Sequence, residues 1–297
     1  MSSNSRKPIS TFSIVARDPK TGELGIAVQS KFLAVGAVVP WAKANVGAIA
    51  TQAMANLDYG EIGLKLLEKG YSANQVLESL LALDEENEGR QVGIVDAEGN
   101  SAAYTGPDCF DWAGHISKKN FTCQGNILVD EDTVKAMAET FEKSKGKLSD
   151  RLLEALDMAQ DAGGDKRGRQ SAALLVVKEN GSYGGYNDRM IDLRVDDNPK
   201  PIEKLKELLY LQRLYFEKPE EKDILEVDKE LGKTIQRTLK KIGYYDGEIN
   251  GNFDEATKKA YFDFTSVENF EERRLEGNKV DKKVIDFMVD KSQEMNF

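Results

Sequence analysis

Thr11-Phe12-Ser13-Ile14-Val15-Ala16-Arg17-Asp18 leads into the turn Lys20-Thr21-Gly22-Glu23, and the chain returns as Leu24-Gly25-Ile26-Ala27-Val28-Gln29-Ser30-Lys31. This is a strand-turn-strand unit that opens on a hydroxyl side chain. Its two arms predict strands over 13–16 and 25–30. Working outward, alternation and β-branched runs predict further strands over 37–39, 46–52, 93–96, 102–105, 121–125 and 172–177. Gly36 and Gly47 fall where backbones bulge or approach closely.

Helical periodicity fills the gaps between strands. Residues 59–69 carry Ile62, Leu64, Leu66 and Leu67 and stop at Gly70, a good C-terminal capping residue. Residues 72–83 start at Ser72, a natural N-cap, and repeat Val76, Leu77, Leu80 and Leu81. Two more helices are expected over 130–145 and 148–162, the second ending in Gly163-Gly164. Strands, helix pair, strands, helix pair, strand is not the strict alternation of a parallel sheet, and pattern alone supports an α+β class. Asn198-Pro-Lys-Pro201 breaks the chain. An amphipathic helix over 201–218 follows, with Ile202, Leu205, Leu208, Leu209, Leu211 and Leu214. The expected organisation is a first domain over 1–200, a linker helix over 201–222 and a small helical domain over 223–297.

Composition narrows the function classes. With 297 residues, 40% hydrophobic and 31% charged, the chain reads as globular. Its net charge of −10 argues against nucleic acid as a partner. No apolar run approaches the roughly 18 residues of a membrane span, and Met1–Ser10 has no hydrophobic core of a secretory signal, so no membrane partner and a cytoplasmic location are expected. Cys109 and Cys123 suffice for neither a disulfide framework nor a four-ligand zinc site. His115 is the one histidine. Spaced between those cysteines it lacks an evident fourth ligand, and it reads first as a hydrogen-bonded structural group. No metal and no cofactor are expected.

The strand-turn-strand led by Thr11 resembles the start of an N-terminal-nucleophile (Ntn) hydrolase, and the whole of residues 10–216 resembles one family of that superfamily, domain-of-unknown-function family 1028. The resemblance implies a four-layer αββα sandwich in which the first residue of the mature chain attacks an amide and its own α-amine serves as base. Thr11 is then the candidate nucleophile, provided that the Ser10-Thr11 bond is cut. Otherwise it is an ordinary strand threonine. Gly163-Gly-Asp-Lys-Arg-Gly-Arg-Gln-Ser171 matches the family's most recognisable signature and displays Asp165, Arg167, Gln170 and Ser171 before a buried strand. In the resemblance Asp165 and Ser171 orient the nucleophile, while Arg167 can fork onto a carboxylate or phosphate. The alternative is a tight turn pinned by Asp165 and Arg167.

Ala48-Ile-Ala-Thr-Gln-Ala-Met-Ala-Asn56 is a run of small residues ending in the amides Gln52 and Asn56, which suits either an oxyanion site or close helix-sheet packing. By loose analogy with the proteasome-like branch, Lys43 stands where that branch has a lysine. Arg90, beside Gln91, faces either an acidic core partner or a substrate carboxylate. Gln124 and Asn126 carry neutral donors suited to amides and read as site walls.

Further on, Ile235-Gln236, Leu239, Gly243-Tyr-Tyr-Asp-Gly247, Ile249-Asn-Gly251, Phe253, Thr257, Ala260 and Phe264 resemble a peptidoglycan-binding-type three-helix domain. Asp254 stands where that family usually has Gly, and Thr265 where it has Gln. The function expected from these resemblances is hydrolysis of a small amide or peptide-like substrate. The alternative is a non-catalytic relative that binds a ligand such as a muropeptide or serves as an assembly subunit, with homo-oligomerisation the expected protein partnership.

Overall fold

A computed structural model of the chain describes residues 11–294; the readings of the first ten residues lie outside the described part. It is a mixed α/β molecule with antiparallel sheets and, among the described residues, eight α-helices. It divides at Leu208/Leu209 into two compact units.

Among the described residues the first unit holds ten strands. They are β1 (Thr11–Arg17), β2 (Leu24–Ser30), β3 (Pro40–Lys43), β4 (Gly47–Ala53), β5 (Arg90–Asp96), β6 (Ser101–Thr105), β7 (Gly114–Lys118), β8 (Phe121–Asn126), β9 (Ser171–Val177) and β10 (Arg189–Val195). Six form one sheet in the order β10-β9-β2-β1-β8-β7, and four form another in the order β3-β4-β5-β6. Helices α1 (Asp58–Glu68) and α2 (Ala73–Ala82) pack on the four-stranded sheet. Helices α3 (Asp132–Lys143) and α4 (Leu148–Asp161) pack on the six-stranded sheet. Strands β1 and β2 face β4, and β5 faces β8, so the two sheets also contact each other.

The period of two explains this packing. Val15, Ile26, Val28, Ala48, Ala50, Val95, Ala173 and Leu175 make one core between the sheets. The opposite face of the four-stranded sheet supplies Ile49, Val92 and Ile94 to a second core with Val76 and Leu80 of α2. Each such aliphatic side chain contributes about 1.5–3 kcal/mol on full burial. Ser72 caps α2, accepting from the Gln75 amide while the Gln75 side chain accepts from the Ser72 amide, a capping box in which the cap alone contributes about 1 kcal/mol.

One expected strand is absent. Residues 37–39 do not extend, because a 3₁₀ turn occupies Val35–Ala37. The Ser171 hydroxyl holds that turn, donating to Phe32 O at 2.5 Å and accepting from the Val35 amide at 3.1 Å. Extension resumes at Pro40, which opens the edge strand β3, where a missing N–H is tolerated. Strands β7 and β10 are not among those expected: β7 is short, whereas β10 does alternate, with Ile191, Leu193 and Val195 between Asp192 and Arg194. Strand β5 begins at Arg90, three residues earlier than expected.

Helix α5 (Pro201–Phe216) runs across the division at Leu208/Leu209. The second unit contains α6 (Lys229–Lys241), α7 (Glu255–Val267), α8 (Lys282–Glu294) and a two-stranded ladder of β11 (Ile224–Glu226) with β12 (Lys279–Asp281). Leu214, Ile235, Leu239, Phe264, Phe270, Val280, Val284 and Met288 form its core. Gln236 is fully buried. It accepts from the Gly251 amide at 2.8 Å and donates to Asn252 O at 2.9 Å, fixing the Ile-Asn-Gly turn. The two departures from the family pattern have local uses. Asp254 caps α7 by accepting from the Thr257 amide at 3.0 Å. The Thr265 hydroxyl donates to Phe262 O at 2.9 Å and accepts from Arg274 Nε at 3.0 Å. Among the described residues no helix is long and apolar enough to cross a membrane.

Candidate functional site

At one end of the two sheets the inward positions change from aliphatic to polar. Thr11 and Ser13 share a face of β1. Register places Thr11 beside Ser30 of β2 and Asn126 of β8, and Ser13 beside Gln124. Across the gap, Gln52 at the end of β4 pairs with Gln91 near the start of β5. All seven side chains are buried, Asn126 at 1% exposure and the others at 0%.

Their hydrogen bonds form one connected chain. Thr122 Oγ1 donates to Gln124 Oε1 at 3.1 Å, and Gln124 Nε2 donates to Ser13 Oγ at 2.7 Å. Ser13 Oγ donates to Gln52 Oε1 at 2.6 Å, and Gln52 Nε2 donates to Gln91 Oε1 at 2.8 Å. Asn126 Nδ2 donates to the same Gln91 oxygen at 2.9 Å, and Gln91 Nε2 donates to Gly125 O at 2.7 Å and to Thr105 Oγ1 at 2.9 Å, the hydroxyl that meets His115 Nδ1. Gln52 Nε2 also reaches Thr11 O at 3.4 Å, while Thr11 Oγ1 donates to Ser30 Oγ at 3.2 Å. Buried polar groups are tolerable when partnered in this way. From Thr122 to Gln91 every side chain is a hydroxyl or an amide, and none of these titrates near neutral pH.

Close packing shapes the network too. A Cβ at Gly93 of β5 would fall 2.3 Å from Gln124 Oε1 and 2.8 Å from Thr122 Cγ2, so the Gln124 amide occupies space that this glycine leaves open. Ala53 and Ile127 follow Gln52 and Asn126 directly and both take left-handed backbone, with φ of 63° and 53°. For a β-branched residue such as Ile127 this conformation is strained, by about 1–3 kcal/mol. The strain falls where two strands end beside the network.

The loop before β9 lies next to this end. Ser30 pairs with Ser171, and Ser30 O accepts from the Gln170 amide at 3.1 Å. Asp165 Oδ2 accepts from the Lys31 amide at 2.8 Å, and its Oδ1 accepts from the Arg167 amide at 2.9 Å. Arg167 Nε lies 3.5 Å from Asp165 Oδ1, so the tight-turn arrangement is present. The hydroxyl that touches Thr11 is that of Ser30, while Ser171 holds the 32–35 turn. Gln170 Nε2 donates to Asp197 at 3.2 Å.

Other residues singled out from sequence are engaged elsewhere. Lys43 is about half exposed and pairs with Glu68 at 2.5 Å; it opposes Gly47, at the far end of β4 from Gln52. Its position removes it from the Thr11 end. Arg90 is buried and donates to Asp84 Oδ2 at 2.8 Å, Glu86 Oε2 at 2.8 Å and Met54 O at 2.5 Å. Asn56 donates to the same Asp84 at 3.1 Å and accepts from the Asp58 amide at 3.1 Å, at the start of α1. Arg90 and Asn56 thus meet on Asp84. His115 Nδ1 meets Thr105 Oγ1 at 2.9 Å, and burial lowers the pKa of its ring. Burial pushes the Cys109 thiol up to about 11 and Cys123 well above the ordinary thiol range. Among the described residues no group of three or more His, Cys, Asp or Glu side chains is placed to hold a metal ion.

Burial of the Asp84 carboxyl acts to raise its pKa, but hydrogen bonds from Arg90, Asn56 and the Glu86 amide outweigh it and hold the group well below the usual carboxylate range. Because the folded value is depressed, the associated stability is complete above the unfolded pKa of about 3.9 and is lost as pH falls toward the folded value. Asp84→Asn is therefore expected to lower stability at pH 7 and to flatten the dependence of stability on pH below about 4. Urea midpoints measured across that range check it, and an unchanged acid limb would contradict it.

Residues 11–205 match the model of the "Family of unknown function (DUF1028)", and residues 215–288 match that of the "Putative peptidoglycan binding domain". Among solved structures, the chain is similar to the crystal structure of protein SPO2555 from Silicibacter pomeroyi, described as DUF1028, at 32% identity and a TM-score of 0.63. That likeness covers 69% of this chain and 89% of the other. No curated protein matches the chain.

Proposed function

This chain belongs to the DUF1028 family of unknown function, and within it we propose an amide hydrolase of the Ntn type whose nucleophile is Thr11. The observation that carries the reading is the neutral network around Thr11 at the polar end of the facing sheets. An amidase needs a nucleophile, a base and donors for the oxyanion. Thr11 brings the hydroxyl, and the Gln52 and Asn126 amides bring neutral N–H donors. The one histidine, His115, joins the network at its far side through Thr105 and Gln91, so in this reading the nucleophile carries its own amine as base. The order of helix pair, sheet, sheet, helix pair supports a four-layer αββα reading of the fold.

The steps follow from this chemistry. Cleavage of the Ser10-Thr11 bond frees an α-amine with a pKa of about 7.7–8.0. The amine takes the hydroxyl proton as Thr11 Oγ1 attacks the substrate carbonyl, and passes it to the leaving amine. Water then hydrolyses the ester, regenerating the hydroxyl. The site suits a small amide or peptide-like substrate. For the second unit we propose a muropeptide fragment as ligand, in keeping with the family that it matches. The two free cysteines fit a reducing compartment such as the cytoplasm.

Intact-mass measurement of the purified protein, run beside an amide and dipeptide screen, tests the reading. A chain that begins at Thr11 and turns over an amide is the expected result. A chain retaining residues 1–10 with no turnover would overturn it. The full burial of Thr11 favours a second reading, a non-catalytic ligand or assembly module. That reading predicts binding of a muropeptide without hydrolysis.

A further inference from the structure

The opposite end of the first unit holds a cavity. Its volume is about 450 Å³, within the range of small-molecule sites. It lies between the β1–β2 turn, the β7–β8 turn and the loop joining α3 to α4. Five basic residues line it (Arg17, Lys20, Lys119, Lys145 and Arg151) against two acidic ones, Asp18 and Glu142. In a chain of net charge −10 this concentration runs against the background. Arg17 and Thr11 stand at opposite ends of β1, six residues apart and so roughly 20 Å from one another. The cavity is thus separate from the proposed nucleophile.

Both carboxylates are already committed. Glu142 receives Lys118 at 2.8 Å. Asp18 Oδ1 accepts from the Lys20 amide at 2.8 Å, and its Oδ2 lies 3.8 Å from Arg151 Nη1. Among the described residues Arg17, Lys20 and Lys145 have no carboxylate within 4.0 Å. Arg151 is held in place, its guanidinium 4.2 Å from the centroid of the Phe141 ring and donating to Phe141 O at 3.3 Å and Ser144 Oγ at 3.4 Å. A fixed guanidinium, a second arginine and three lysine ammonium groups, of which Lys119 donates to Asn100 Oδ1 at 3.0 Å, around one concavity fit an anion with several oxygens. Arginine matches phosphate oxygens in pairs, and lysine adds charge without geometric demand.

We propose that this cavity binds a small phosphate-bearing anion, at a site independent of the Thr11 end. A duplex or a membrane would need a basic face, whereas these charges line a cavity.

Calorimetric titration of the full chain with inorganic pyrophosphate at low salt tests this. Saturable 1:1 binding is expected, weakening as ionic strength rises. Lys20→Gln/Lys145→Gln, on two exposed side chains, should weaken binding at least about tenfold while the melting temperature stays within about 2 °C. Lys20→Arg/Lys145→Arg should keep it. The control Lys69→Gln/Lys241→Gln removes the same charge from exposed positions outside the cavity and should leave binding unchanged. Absence of saturable binding, undiminished binding in Lys20→Gln/Lys145→Gln, or equal weakening in the control would each overturn the proposal.

Discussion

Under the proposed mechanism Thr11→Ala is expected to lower amide turnover at least about a thousandfold, because it removes the atom proposed to form the acyl intermediate. Thr11→Ser keeps that atom and should retain most of the activity. The stability cost separates chemistry from folding. Thr11 is fully buried, and its hydroxyl bonds Ser30 at 3.2 Å, so Thr11→Ala should cost about 1 kcal/mol. Ser30→Ala breaks the same bond and should cost a similar amount while leaving the nucleophile in place. Turnover on the best substrate of the amide screen, measured beside denaturant midpoints, compares the three variants. Full activity in Thr11→Ala would remove Thr11 from the reaction. Equal loss in Thr11→Ala and Ser30→Ala would mean that the bond between them, rather than the nucleophile, sets the rate.

The largest stability effect should come from Arg273→Met in the second unit. Arg273 and Asp281 are 1% and 0% exposed and paired directly. The same guanidinium donates to Leu214 O at 2.5 Å and to Arg213 O at 2.8 Å, tying the end of α5 to the loop before β12. Removing it leaves a buried carboxylate without its cation, for which a loss of about 3–5 kcal/mol is expected. Arg273→Met/Asp281→Leu removes both charges and should recover much of that loss. Amide hydrogen exchange across α6, α7 and α8 reads the effect: protection should fall in the single variant and return in the double. A single variant as protected as the parent would contradict the argument.

Much of the fold is legible in the sequence because burial imposes a period on it. Strands such as β2 and β9, apolar along nearly their whole length, were expected within a residue or two of where they lie. Ser72 and Gly70 marked helix boundaries through their own backbone chemistry. The 37–39 region was misleading for a long-range reason: the hydroxyl that curls it belongs to Ser171, 139 residues beyond Phe32.

The candidate site was half legible. Thr11, Gln52, Gln124 and Asn126 converge as polar residues at strand ends. Ser13, Ser30 and Gln91 belong to it as well, each at an inward position where alternation calls for an apolar side chain. That mismatch was the available signal. Lys43 and Arg90 went the other way, since charge suggested chemistry while their partners Glu68 and Asp84 are fixed only by tertiary structure.

The open space above Gly93 has a consequence for descent. The Gln124 amide reaches Ser13 only because residue 93 has no side chain, so position 93 cannot gain one while Gln124 stays. In relatives that keep the network, 93 should stay glycine. Where 93 has gained even a methyl group, 124 should have become smaller in the same lineage. The two positions, in separate sheets and 31 residues apart in the chain, would then be inherited as a single character.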